Sequence, residues 1–220
     1  MKYAYSNGFI LDGSENMEPV SGKVILTNGD KIERIISDEE LIGLAGYEKI
    51  NLGGRYIMPG LVNMHLHLPA TGKPKKKESD PVKLVKLITS NGLFRKIGIK
   101  ICASAAETEL LSGVTTIRTM GGVENFDSFI RGRIDSGTLK GPRILASNKE
   151  GGHMAHSLAY VAASAEEARN YVKQIAKDKP DWIKLMITGG VLDAKVKGEP
   201  GELKMPADYV KAACDEAHAL

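Results

Sequence analysis

The chain has 220 residues, 42% of them hydrophobic and 26% charged, which fits one large or two small globular domains with a substantial core. A net charge of +3 and a pI of about 8.7 are too mild to argue for a nucleic-acid partner. Two cysteines far apart, Cys102 and Cys214, make no disulfide framework, no run approaches the ~18 apolar residues of a membrane span, and residues 1–8 lack the apolar core of a signal peptide, so a reducing cytoplasm is expected.

Residues 1–57 read as short strands broken by turns and form the first predicted domain. Lys2–Ser6, Phe9–Leu11, Lys23–Thr27, Lys31–Ile36, Glu48–Leu52 and Tyr56–Ile57 are the candidate strands, and Asp38–Leu44 is a candidate helix. Asn28-Gly29 between two β-rich runs is the strongest hairpin signal.

Residues 58–68, Met-Pro-Gly-Leu-Val-Asn-Met-His-Leu-His-Leu, form a nearly continuous apolar run opened by Pro-Gly. On a strand, successive side chains alternate between faces, so His65 and His67 should project together, along with Leu61 and Asn63. Val62, Met64, Leu66 and Leu68 should face the other way. Two imidazoles side by side on a buried strand make a poor core but a good grip on a divalent cation.

After residue 68 the pattern becomes strands alternating with helices. Pro69–Asp80 reads as a loop whose Lys73–Lys77 cluster is a solvated face, or else an electrostatic guide for an anionic substrate. Helices are predicted over Pro81–Ser90 (capped by Asp80), Leu93–Leu111 (closed by Gly113), Phe126–Thr138, Ala165–Lys177 (capped by Ser164) and Pro206–Leu220. Strands are predicted over Val114–Thr119, Pro142–Ser147 and Asp181–Thr188. Counting the histidine strand, four strands each lead into helical sequence, which implies parallel β/α crossovers. A doubly wound open sheet is the alternative to half of a barrel.

Within Asp181–Thr188, alternation puts Ile183, Leu185 and Ile187 on one face and Trp182, Lys184 and Met186 on the other. A lone lysine in the middle of a buried parallel strand is costly to desolvate unless it is paired or modified. Held partly neutral, it is suited to react with carbon dioxide, and the resulting carbamate can bridge two metal ions.

Four stretches together resemble one known family. Residues 59–67 resemble the P-G-x-x-D-x-H-x-H signature of the metal-dependent amidohydrolase superfamily, with Asn63 where Asp is commoner. Ile183–Gly190, Ile-Lys-Leu-Met-Ile-Thr-Gly-Gly, is similar to the strand of Xaa-Pro dipeptidases and metal carboxypeptidases whose lysine is carboxylated. Gly113–Arg118 and the passage from Gly141 to Gly151-Gly152-His153 resemble the branch that those peptidases share with imidazolonepropionases, although Thr119 stands where Asp is frequent.

The resemblance implies a (β/α)8 TIM-barrel fold, with the first four β/α units in residues 58–220 and a β-sandwich subdomain in residues 1–57. It implies a hydrolase that breaks an amide C–N bond in a dipeptide, an N-acyl amino acid or a cyclic amide, using water activated by a metal. His65, His67 and a carboxylated Lys184 are the implied metal ligands, a binuclear zinc centre the implied cofactor, and His153 the implied substrate contact. No catalytic residue is expected within the chain, because the proton-shuttling aspartate and further histidine ligands should lie beyond Leu220. The chain is accordingly expected to be the N-terminal half of a larger enzyme. Its expected partners are the other half of the barrel and further copies of the complete enzyme, with no nucleic acid and no membrane. A mononuclear imidazolonepropionase-like hydrolase and a non-catalytic metal-binding half-barrel are the alternatives. Arg118 is open to a structural ion pair or a substrate contact, and His156 and His218 are read as ordinary surface histidines.

Overall fold

A computed structural model describes residues 1–70, 81–149, 151–152, 160–188, 196 and 203–220. The chain divides into two compact units, Met1–Gly60 and Leu61–Leu220. Among the described residues no helix is long and apolar enough to cross a membrane.

The first unit is built on a four-stranded sheet from β1 (Lys2–Ser6), β3 (Lys23–Asn28), β4 (Lys31–Ser37) and β5 (Glu48–Asn51), in the order β4-β3-β1-β5. Strands β2 (Phe9–Ile10) and β6 (Tyr56–Ile57) form a separate parallel pair. The expected hairpin forms: Asn28 pairs with Lys31 across a two-residue turn, and Gly29 takes a positive φ of 62°. Alternation buries Ala4, Val24, Leu26 and Ile36 on one side, where Leu41, Leu44 and Tyr47 pack against them. The helix expected over Asp38–Leu44 contracts to a single 3-10 turn, Glu39–Leu41, because Asp38 provides no side-chain cap for it.

In the second unit, β7 (Leu61–Leu66), β8 (Val114–Thr119) and β9 (Arg143–Leu145) make a parallel sheet in that order, so among the described residues β7 is an edge strand. Helices α1 (Pro81–Thr89), α2 (Gly92–Leu111) and α3 (Phe126–Asp135) contribute to the core beside it. That core is Leu68, Ile88, Cys102, Ala106, Ile117, Val123, Phe126, Ile130, Ile144 and Ala146. Burial on this scale, at about 25 cal/mol per Å² of apolar surface, is the main stabilising contribution.

Local chemistry sets the helix ends. Asn91 accepts hydrogen bonds from the Leu93 and Phe94 amides at the start of α2, and Gly113 stops that helix with a φ of 95°. Ser164 accepts from the Glu167 amide at the start of α4 (Ala165–Ala176), as the sequence predicts. Helices α4 and α5 (Ala207–Ala219) pack around a second core of Ala162, Ala168, Val172, Met205 and Ala213. The proposed Asp80 cap and the Lys73–Lys77 cluster lie outside the described residues.

Two elements depart from expectation. The long strand expected over Asp181–Thr188 reduces to β11 (Leu185–Met186), which pairs with β10 (Gly151–Gly152). Asp181 is committed elsewhere: its amide donates to the Ala146 carbonyl at 2.8 Å, and its carboxylate takes the Ala146 amide at 2.7 Å and the Arg131 guanidinium. These contacts tie residue 181 to the end of β9. The second departure is an irregular register between Asn63 and Leu66 of β7. Three steps on β7 match two on β8 there, a bulge that interrupts strict alternation.

Candidate metal site

The bulge decides which side chains meet. Asn63 lies opposite the buried Ile117 and donates from Nδ2 to Glu109 Oε2 on α2 at 3.2 Å, so it does not share the histidine face as alternation predicts. Its Oδ1 accepts the His65 amide at 3.2 Å, which braces the bulge. Beyond it, Leu66 packs on the core and Leu68 is fully buried. His65 and His67 remain neighbours, their ring centroids 5.5 Å apart and their planes inclined at 61°. His65 is exposed; His67 is half-buried and stands just past the end of β7.

His67 is the better anchored of the two. Its Nδ1 is 2.9 Å from the Gly121 carbonyl oxygen. A carbonyl can only accept, so Nδ1 carries a proton, and in the neutral ring Nε2 is the nitrogen that would bind a cation. A backbone carbonyl behind one ring nitrogen is the usual way a ligating histidine is held in one tautomer and orientation. The two imidazoles could therefore hold a divalent cation such as zinc, which favours neutral nitrogen donors.

Behind Gly121 lies a buried polar cluster. The Gly121 amide donates to Ser147 Oγ at 2.9 Å, and the Ser147 amide donates to Thr119 Oγ1 at 3.0 Å. The Gly122 amide donates to the Asn148 carbonyl at 2.7 Å, and Asn148 Oδ1 accepts the Ser128 amide at 3.0 Å. Asp127, in the first turn of α3, is fully buried beneath Gly122. Burial pushes its carboxyl above the usual aspartate range, against the opposing pull of Thr119, the Asn148 amide and the His67 charge.

The other anticipated residues are placed less centrally. Lys184 immediately precedes β11 and is half-buried, rather than enclosed in the middle of a long strand, because that strand is short. Arg118 donates from Nε to the Met64 carbonyl at 3.0 Å, and its guanidinium lies 4.9 Å from the centre of the Trp182 ring. It thus braces β7 against the 181–183 segment. His153 and His156 lie outside the described residues, and His218 is exposed on α5. Among the described residues, no three His, Cys, Asp or Glu side chains converge as a metal cage.

Asp127 is the residue that sequence reasoning missed. Its signal was its phase: Asp127, Ile130 and Ile134 fall at i, i+3 and i+7, on the stripe of α3 that packs inward.

Comparison with known proteins gives the family. Residues 56–220 match the Amidohydrolase family. A protein of Bifidobacterium longum described as a prolidase superposes with a TM-score of 0.74 at 30% identity, over 99% of this chain and 47% of its own. A Xaa-Pro dipeptidase with bound methionine gives 0.75 at 24% identity, over 100% of this chain and 54% of its own, a likeness of fold. A 5-methylthioadenosine/S-adenosylhomocysteine deaminase of Bacillus thuringiensis (strain Al Hakam) is 34% identical over 68 residues, 31% of this chain and 16% of that protein. The chain spans about half the length of the solved structures it matches. It belongs to the amidohydrolase family, whose members typically bind a metal.

Proposed function

We propose that this chain is part of a metal-dependent hydrolase that cleaves an amide C–N bond in a dipeptide, an N-acyl amino acid or a cyclic amide. The carrying observation is the pair of imidazoles at the end of β7, one of them held through Nδ1 by the Gly121 carbonyl. The parallel β/α units of Leu61–Leu220 are read as the first part of a (β/α)8 barrel, and residues 1–57 as a β-sandwich subdomain. Such barrels place their chemistry at the C-terminal ends of the strands, which is where His67 stands. The edge of β7 that pairs with no other described strand, with Leu61, Val62 and Met64 about half exposed, fits pairing with the remainder of the barrel. Both cysteines are free, in keeping with a reducing cytoplasm.

His65 and His67 would hold the cation through ring nitrogens, and Lys184, as a carbamate, would be a further ligand in a two-zinc site. When bound, the metal supplies Lewis acidity toward the scissile carbonyl and lowers the pKa of a coordinated water. Arg118 keeps β7 in place from behind, and His153 is assigned to the substrate carbonyl or carboxylate. The 30% identity to a prolidase makes Xaa-Pro dipeptides the first substrates to try. The half-burial of Lys184 favours one rival, a mononuclear enzyme in which that lysine bridges nothing.

The test uses the full-length protein. Replacing both His65 and His67 with Ala should abolish zinc retention after dialysis and hydrolysis of the dipeptides. Lys184→Ala should lower metal content from two ions to one and respond to added short carboxylic acids. Undiminished zinc in the double histidine variant would overturn the reading, and one equivalent of zinc in the wild type would select the mononuclear form.

A further inference from the structure

Among the described residues, four polar or charged side chains are fully buried, and they sit together: Thr119, Asp127, Ser147 and Asn148. All four lie where β8 and β9 end and α3 begins. Two of them are poorly satisfied. Neither carboxylate oxygen of Asp127 has a hydrogen-bond partner, and neither does Asn148 Nδ2. The Thr119 hydroxyl and the Asn148 amide face the carboxylate without reaching hydrogen-bond geometry. A buried carboxylate left in that state costs stability, and an apolar residue of similar size would fill the space at less cost. A group that is expensive where it sits points to a second demand on the position.

The surroundings name that demand. A Cβ on Gly122 would come within 2.7 Å of both Asp127 oxygens, so the backbone of this turn rests directly on the carboxylate. One residue earlier, the Gly121 carbonyl meets His67 Nδ1 at 2.9 Å. Gly121 is held from the far side by Ser147 Oγ, and Gly122 by the Asn148 carbonyl. The turn is clamped between the cluster and the imidazole.

We propose that Asp127 is a positioning residue for the candidate metal site: seated under Gly122, it fixes the Gly121–Gly122 turn, which through its carbonyl fixes the tautomer and direction of the His67 ring. The proposal rests on His67 being a metal ligand. Asp127 does not touch the cation. Its shape holds the turn. Partners of this kind typically change metal affinity by about 10- to 100-fold when removed.

The experiment compares wild type, His67→Ala, Asp127→Ala, Asp127→Asn and Gly122→Ala in the full-length protein. Zinc affinity is read by competition with a chelating dye, and the His67 tautomer by nitrogen-15 NMR of the zinc-free protein. Asp127→Ala should weaken zinc binding by about 10- to 100-fold and let His67 populate both neutral tautomers, while Asp127→Asn, which keeps the shape, retains most of the affinity. Gly122→Ala approaches the same turn from the other side and should reproduce the tautomer change, which covers the case that Asp127→Ala does not fold. Loss of zinc in His67→Ala, with affinity and tautomer unaltered in both Asp127→Ala and Gly122→Ala, would overturn the positioning role alone. Undiminished zinc in His67→Ala would overturn the ligand assignment and this proposal with it.

Discussion

Replacing Ser147 with Ala removes one oxygen from the centre of the buried cluster and exposes the turn behind His67 to a clean test. Ser147 is fully buried, and its Oγ accepts the Gly121 amide at 2.9 Å. Gly121 is buried as well, so water does not readily replace the lost acceptor. The net value of such a bond is about 0.5–1.5 kcal/mol, but stranding a buried N–H costs about 1–3 kcal/mol, and the second figure governs here. For a protein of this size each kcal/mol moves the midpoint by about 2–4 °C, so Ser147→Ala should lower Tm by about 2–12 °C. The Gly121 carbonyl belongs to the same residue, so the variant should also bind zinc more weakly than wild type. Differential scanning calorimetry of the metal-free protein and dye competition for zinc give the two numbers separately. A Tm within a degree of wild type would show that the Gly121 amide finds another acceptor and that the clamp is not built as described.

Asp127 also governs a pH effect. Its folded-state pKa lies above its ordinary 3.8, chiefly through burial, so its contribution to stability is fully present below that value and is lost as pH rises through the folded-state pKa. Asp127→Asn does not titrate, so its Tm relative to wild type should climb with pH over that interval; a constant difference would remove the charge argument. Cys102 is buried, and burial first, then the nearby Asp127 charge, pushes its thiol up to about 12. Native protein should therefore label with a maleimide at Cys214 and not at Cys102 near pH 7, and equal labelling would mean that α2 opens on the time scale of the reaction.

Much of the framework is set by chemistry that acts within a few residues. The Asn28-Gly29 turn, the Asn91 and Ser164 caps and the glycine after α2 each satisfy a local backbone requirement, which is why they are legible without neighbours. The joint projection of His65 and His67 is what a period of two predicts, and the two rings remain neighbours although His65 lies within the bulge. The same bulge turns Asn63 toward Glu109, and no periodicity within β7 could announce it, since it is a matter of register against β8. The start of the 181–188 segment is likewise set by distant partners: Asp181 finds Arg131, fifty residues earlier, and the end of β9. Asp127 shows the limit most plainly. An acid in the first turn of a helix is ordinarily an exposed partner for the helix dipole, a local and sufficient explanation. Only the packing of α3 under the Gly121–Gly122 turn places that carboxylate in the interior behind His67, because burial depends on which distant elements close over a residue and not on the residues beside it.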